Sequence, residues 1–191
     1  MRNIKKKIGF LLLFLLVISW SIFLYFISPE KIINYFGDGN SYWIVFIAGL
    51  LGGISILFPF PYYIFVLTFA IGGLNPFLLG LFTGLGVILG ESTSYWIGYT
   101  GRDVLPIKAK NIFNRISKYF NKDLTWRVPI FLFIYGSLSP LPNDVILIPL
   151  GMARYPFLKV IIPLGLGNII YNILLAVAGF YGLTFFYQAF L

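Results

Sequence analysis

FPFPYY, Phe58 to Tyr63, sets two prolines two residues apart inside one of the most apolar runs of the chain. Each proline removes a backbone donor and clashes with the carbonyl four residues back, at about 3 kcal/mol in a helix interior. The run therefore cannot be one uninterrupted helix. A second stretch, SPLPND from Ser139 to Asp144, repeats the arrangement with Pro140 and Pro142. Apolar arms flank both breaks: Tyr42 to Leu57 and Tyr62 to Ile71 around Pro59 and Pro61, Val128 to Leu138 and Val145 to Met152 around the second pair. Each arm is short of the roughly 20 helical residues that cross a hydrocarbon core of about 30 Å. Two short arms on either side of a break predict a re-entrant hairpin, with one kinked span as the alternative.

The surrounding composition fixes the class. Of 191 residues, 59% are hydrophobic and only 10% charged, with a mean hydropathy of +0.91. Soluble domains run nearer 45–50% apolar and about 25% charged, so the expectation is an integral membrane protein. The chain has neither Cys nor His. That excludes thiolate and imidazole metal sites, cysteine nucleophiles and a Ser-His-Asp triad, and no cofactor is expected. The net charge of +8 points to anionic lipid headgroups as partners and not to nucleic acid, given the apolar excess. Self-association stays open.

The N-terminal segment, 1–40, comprises a basic start, an apolar run from Ile8 to Ile27 and a polar connection. The run is long enough to span and no small-x-small cleavage site follows it, so it reads as a retained anchor helix in preference to a cleaved signal. The membrane domain, 41–191, divides into a first repeat over about 42–100, a basic segment over 102–127 and a second repeat over about 128–187. Pro76 to about Tyr99 and Pro156 to about Tyr187 are each long enough to cross. Arg102 to Arg127 holds seven basic residues against two acidic ones, with Ile112, Phe113, Ile116 and Phe120 at helical spacing. This predicts a basic amphipathic helix in the interface. Arg2 and Lys5 to Lys7 place the N-terminus in the cytoplasm, and the basic segment then also falls inside, with the C-terminus external.

The two breaks are related by position. Pro59 and Pro140, and Pro61 and Pro142, are both 81 positions apart, and the same shift carries Gly84-Leu85-Gly86 onto Gly165-Leu166-Gly167 and Gly98 onto Gly179. One crossing separates the hairpins, so the copies would be inverted. The predicted fold is all-α and polytopic: two inverted repeats, each a re-entrant hairpin followed by a transmembrane helix. Broken helices survive at membrane depth only when buried in protein or facing a wet cavity, so a polar cavity is expected where they meet.

SPLPNDVILIPLGMARYPF followed by LGN, together with FPFPYY followed by GESTSYWIGYTG, resembles the DedA family, also called the VTT or SNARE-associated-Golgi domain family. The similarity runs from about Gly49 to Gly182. The resemblance implies the inverted hairpin fold and movement of lipids between leaflets: polyprenyl phosphate or phospholipid in prokaryotes, phospholipid scrambling in eukaryotic relatives, with proton coupling in several bacterial members. It implies a prokaryotic cytoplasmic membrane as the location. The chain departs from the family where many members carry an acid after the first P-x-P, here Tyr63. It departs again where they carry arginines around the second hairpin, here Ser137 and Asn143. Missing guanidinium groups weaken phosphate binding.

Few side chains can carry transport chemistry. Glu91 lies deep in the first span and is the candidate proton-linked group, facing the cavity or protonated. The alternative is an interfacial carboxylate paired with Arg102. Asp144 opens the half-helix after the second break, as a transport residue or as a cap helped by Asn143. The half-helix ends after Pro61 and Pro142 could hold a phosphate through free N–H groups. Ser137, Ser139, Tyr63, Tyr95, Asn143, Asn168, Asn172 and Arg154 are candidate cavity or headgroup residues. For Asn168 and Asn172 interhelical bonding is the alternative, and for Arg154 positive-inside bias. A lipid translocase is the first expectation; a solute transporter, a lipid enzyme and an assembly factor are the others.

Overall fold

The computed structural model describes residues 14–15, 18–24, 26–54, 60–107, 110–111, 113–114, 126–139 and 141–190. Pro59, Pro140 and most of the basic stretch from 115 to 125 lie outside them, as do the first 13 residues. Among the described residues every regular element is helical. These are α1 (Pro29–Phe36), α2 (Asp38–Gly53), α3 (Tyr63–Ile71), α4 (Pro76–Gly101), α5 (Arg127–Leu138), α6 (Asp144–Met152) and α7 (Phe157–Phe190), with a 3-10 turn at Arg102–Val104. Residues 18–24 are also helical. Two helices, Pro76–Val104 including that turn and Phe157–Gly182, are long and apolar enough to cross a membrane.

Local chemistry sets the boundaries. Pro29 and Pro76 stand in the first turns of α1 and α4, where a missing N–H is harmless. Asn75 caps α4 by accepting from Phe77 N and Leu78 N at 2.9 and 3.4 Å. α3 ends in a Schellman arrangement: Leu74 N bonds Phe69 O and Gly73 N bonds Ala70 O, with Gly73 at φ +98. α6 ends the same way, through Tyr155 N to Leu150 O and Arg154 N to Gly151 O.

There the left-handed residue is Arg154, at φ +54. An L side chain in that region is strained by about 1–2 kcal/mol. The strain and the exposed ion pair that Arg154 makes with Asp103 at 2.8 Å act in opposite directions, the pair contributing about 0–1 kcal/mol. Arg154→Gly and Arg154→Ala both lose the pair, but only the glycine relieves the backbone. Thermal unfolding in detergent is expected to rank Gly above Ala by about 1 kcal/mol.

Helix directions follow from where glycines meet their neighbours. A Cβ on Gly84 would stand 2.6 Å from Ile169, and one on Gly165 2.6 Å from Ile88. The contacts advance along α4 as they retreat along α7, so these two helices are antiparallel. Along α2 and α4 they advance together, Gly49 against Thr83 at 2.5 Å and Gly53 against Val87 O at 2.5 Å, so α2 runs parallel to α4. α5 likewise runs parallel to α7, with Gly136 against Leu164 O at 2.7 Å and Ser137 N near Gly167. α3 packs on α7 through Gly179, and α6 packs on α4 through Gly98 and Gly151. The glycine pairs Gly49–Gly53, Gly80–Gly84 and Gly86–Gly90 thus serve close helix packing.

Polarity is reversed relative to a water-soluble fold. Thr83, Glu91, Ser94, Asn168 and Asn172 are buried, whereas Leu158, Ile162, Leu166, Ile170 and Leu174 form an exposed stripe one residue in four along α7. Two apolar clusters fill the interior. One joins α1, α2, α3 and the first part of α4 around Val45, Val66, Phe69 and Leu79; the other joins α5, α6 and the start of α7 around Leu132, Leu147 and Leu164. Between them lies the polar layer.

Candidate functional site

Glu91 sits two-thirds of the way along α4, 6% exposed, at the level where both chain breaks arrive. Its two oxygens are separately engaged. Asn143, beside Pro142, donates its amide to Oε1 at 2.5 Å, and Asn168 of α7 donates to Oε2 at 2.7 Å. The Asn143 amide also reaches Asn168 Oδ1 at 3.0 Å, closing a three-residue ring. A carboxylate bound by two amides is oriented and hydrogen-bonded, as burial of such a group requires. One turn further along α4, Ser94 donates to Asp144 Oδ1 at 2.6 Å. The same face of α4 therefore reads both Asn143 and Asp144 at the start of α6.

A cavity of about 470 Å³ opens against this ring. Its lining draws on the first break, through Phe60, Pro61, Tyr62 and Tyr63, and on the second, through Ser139, Leu141, Pro142 and Asn143. Glu91 and Val87 of α4 and Asn168 and Tyr171 of α7 complete the lining. The Tyr62 ring covers Gly52, where any Cβ would collide with it. At the rim Tyr63 and Leu141 are 41% and 62% exposed, on the apolar outer surface.

The sequence candidates separate into two groups. Glu91, Asn143, Asn168, Tyr63, Ser139, Pro61 and Pro142 line the cavity, and Asp144 adjoins it. Ser139 uses its hydroxyl to accept from Leu141 N at 3.2 Å, holding the turn. Ser137 is buried and bonds Phe133 O in its own helix, so it does not line the cavity. Asn172, fully buried, donates to Asn168 O at 2.8 Å behind the lining. Tyr95 points toward the opposite end, donating to Tyr155 O at 2.5 Å. Arg154 is there too, paired with Asp103 and lying 5.1 Å from the Tyr99 ring centre.

Two local expectations change. The Asn143 side chain is expected to help cap α6, but it makes no capping bond, and its Nδ2 donates to Glu91 and Asn168. Arg102, the alternative partner for Glu91, bonds Asn114 instead. Three residues went unremarked in the sequence. Tyr62 is the 81-position counterpart of Asn143, so the repeat itself pointed to it, and Ser94 is three residues from Glu91 on one helix face. Tyr171 had no local signal.

Compared with family models, curated proteins and solved structures, the chain matches none of them.

Proposed function

We propose that this chain is a multi-pass lipid translocase of the membrane, carrying a headgroup through the cavity between two inverted hairpins while the acyl chains remain in the bilayer. The cavity carries this reading: both proline breaks contribute to its lining, together with a hydrogen-bonded carboxylate. Non-helical backbone at membrane depth needs such a lining. The exposed rim at Tyr63 and Leu141, continuous with the apolar surface, favours lipid over a solute sealed from the bilayer.

The repeat supports it in detail. α3 and α6 begin and end 81 positions apart, and α4 and α7 begin 81 apart. The same shift exchanges the contact of Gly84 with Ile169 for that of Gly165 with Ile88. It also exchanges Gly98 on Ile148 for Gly179 on Leu67, and Gly73 for Arg154 in the two Schellman turns. With α4 and α7 antiparallel, copies related by this shift are inverted, the architecture of transporters whose broken helices meet near the midplane. On this reading α2–α3 and α5–α6 are re-entrant, the N-terminus is cytoplasmic and the C-terminus external.

Leaflet exchange in reconstituted liposomes tests the proposal. A phospholipid labelled on its acyl chain and bleached from outside by dithionite should lose its protected half at least about tenfold faster with protein, a barrier change of roughly 1.4 kcal/mol. A rate equal to that of protein-free vesicles refutes translocation.

A further inference from the structure

Among the described residues, the formally charged side chains at the cavity are both carboxylic acids. Glu91 lies on its wall, Asp144 adjoins it through Asn143, and no lysine or arginine lines it among the described residues. The groups that hold Glu91 are neutral amides, and no cation is among them. Four aromatic rings share the lining: Phe60, Tyr62, Tyr63 and Tyr171. Glu91 and these rings line the same cavity.

A phosphate meets poor conditions here. Asp144 occupies the first turn of α6, placing a carboxylate where the helix dipole would otherwise favour an anion. Several of the donors that follow the breaks are already used. Val145 N bonds Pro142 O and Ile146 N bonds Asn143 O, while in α3 Ile64 N bonds Pro61 O and Phe65 N bonds Tyr62 O. An alkylammonium meets complementary ones. A carboxylate matches its charge, and aromatic faces attract its polarised C–H and N–H surface, at about 0.5–2 kcal/mol per ring depending on desolvation.

We propose that the cavity takes an organic ammonium group, held between Glu91 and the rings of Tyr62, Tyr63 and Tyr171. Resting on the translocase reading, this makes the accommodated headgroup an amine-bearing one, a zwitterionic phospholipid in place of a purely anionic lipid. The same chemistry would serve a free amine, and the test distinguishes the two sources.

Titration calorimetry on the detergent-purified full chain uses tetramethylammonium chloride, sodium chloride and methyl phosphate. Saturable tetramethylammonium binding is expected, weakened about tenfold or more in both Glu91→Gln and Tyr62→Leu. Should Glu91→Gln fail to fold, Tyr63→Leu at the exposed rim provides the second reading. Binding of methyl phosphate, of sodium alone, or of none of the three overturns the proposal. In liposomes, acyl-labelled phosphatidylethanolamine and phosphatidylcholine should exchange about tenfold faster than phosphatidylglycerol, which assigns the ammonium to a lipid. Equal exchange of phosphatidylglycerol overturns ammonium selection while leaving translocation intact. Tetramethylammonium binding without exchange of any lipid ends the translocase reading and upholds the ammonium site for a free amine.

Discussion

Gly86→Leu is expected to prevent assembly of the helical core, giving aggregated protein where the wild type elutes as a single detergent-solubilised species. A Cβ at position 86 would strike the carbonyl of Phe46 and stand 2.9 Å from Leu50 N, both backbone atoms of α2. Backbone cannot rotate aside as a side chain can, so α2 would have to leave α4. Overpacking a well-fitted interior costs about 1–3 kcal/mol even when side chains absorb it, and this site lies at the upper end or beyond. Four residues on, Gly90 meets Leu50 O and the Gly53 Cα in the same way, so separating the helices at one point separates them at both. Size-exclusion profile and thermal unfolding measure the effect. A Gly86→Leu protein with wild-type profile and midpoint would show that α2 does not pack as described.

Glu91→Gln is expected to slow leaflet exchange by about tenfold or more while keeping the wild-type elution profile. Glutamine preserves shape and leaves one oxygen to accept from Asn143 or Asn168. It replaces the other acceptor with a donor that faces an amide, and it removes what is, among the described residues, the one ionisable side chain that lines the cavity outside its tyrosines. Glu91→Asp restores the charge on a shorter arm and should recover part of the rate. Exchange at the wild-type rate in Glu91→Gln would show that the carboxylate serves packing alone.

How far the sequence reaches depends on the range of the force involved. Proline acts on its own backbone, so FPFPYY and SPLPND announced the breaks, and the arms α3 and α6 fall within a residue of their expected limits. Glycine spacing and the shift of 81 located the close contacts, because a missing Cβ has the same meaning wherever a neighbour approaches. Glu91 was singled out because a charge in an apolar span needs a reason. Its partners were not so legible. Asn143 and Asn168 lie 52 and 77 positions away, and hydrogen-bond choice among several amides is settled only by packing. Tyr95 is a cavity candidate in the sequence, and Arg154 a candidate for gathering headgroups at the cytoplasmic mouth. In space they sit at the far end of α4, about two turns of helix from Glu91's layer in the case of Arg154's partner Tyr99. The basic stretch from 115 to 125 lies outside the described residues.

If the two halves are related by a rotation, their backbones match more closely than their side chains do. Glu91 and Asp144 have Asn172 and Tyr63 as counterparts under the shift of 81, and neither counterpart is a carboxylic acid. A carrier with true two-fold chemistry would present the same face to either leaflet. On the translocase reading this chain would not: the scaffold repeats, but the shift also sets Tyr62 against Asn143 and Gly73 against Arg154, so the two faces differ in chemistry.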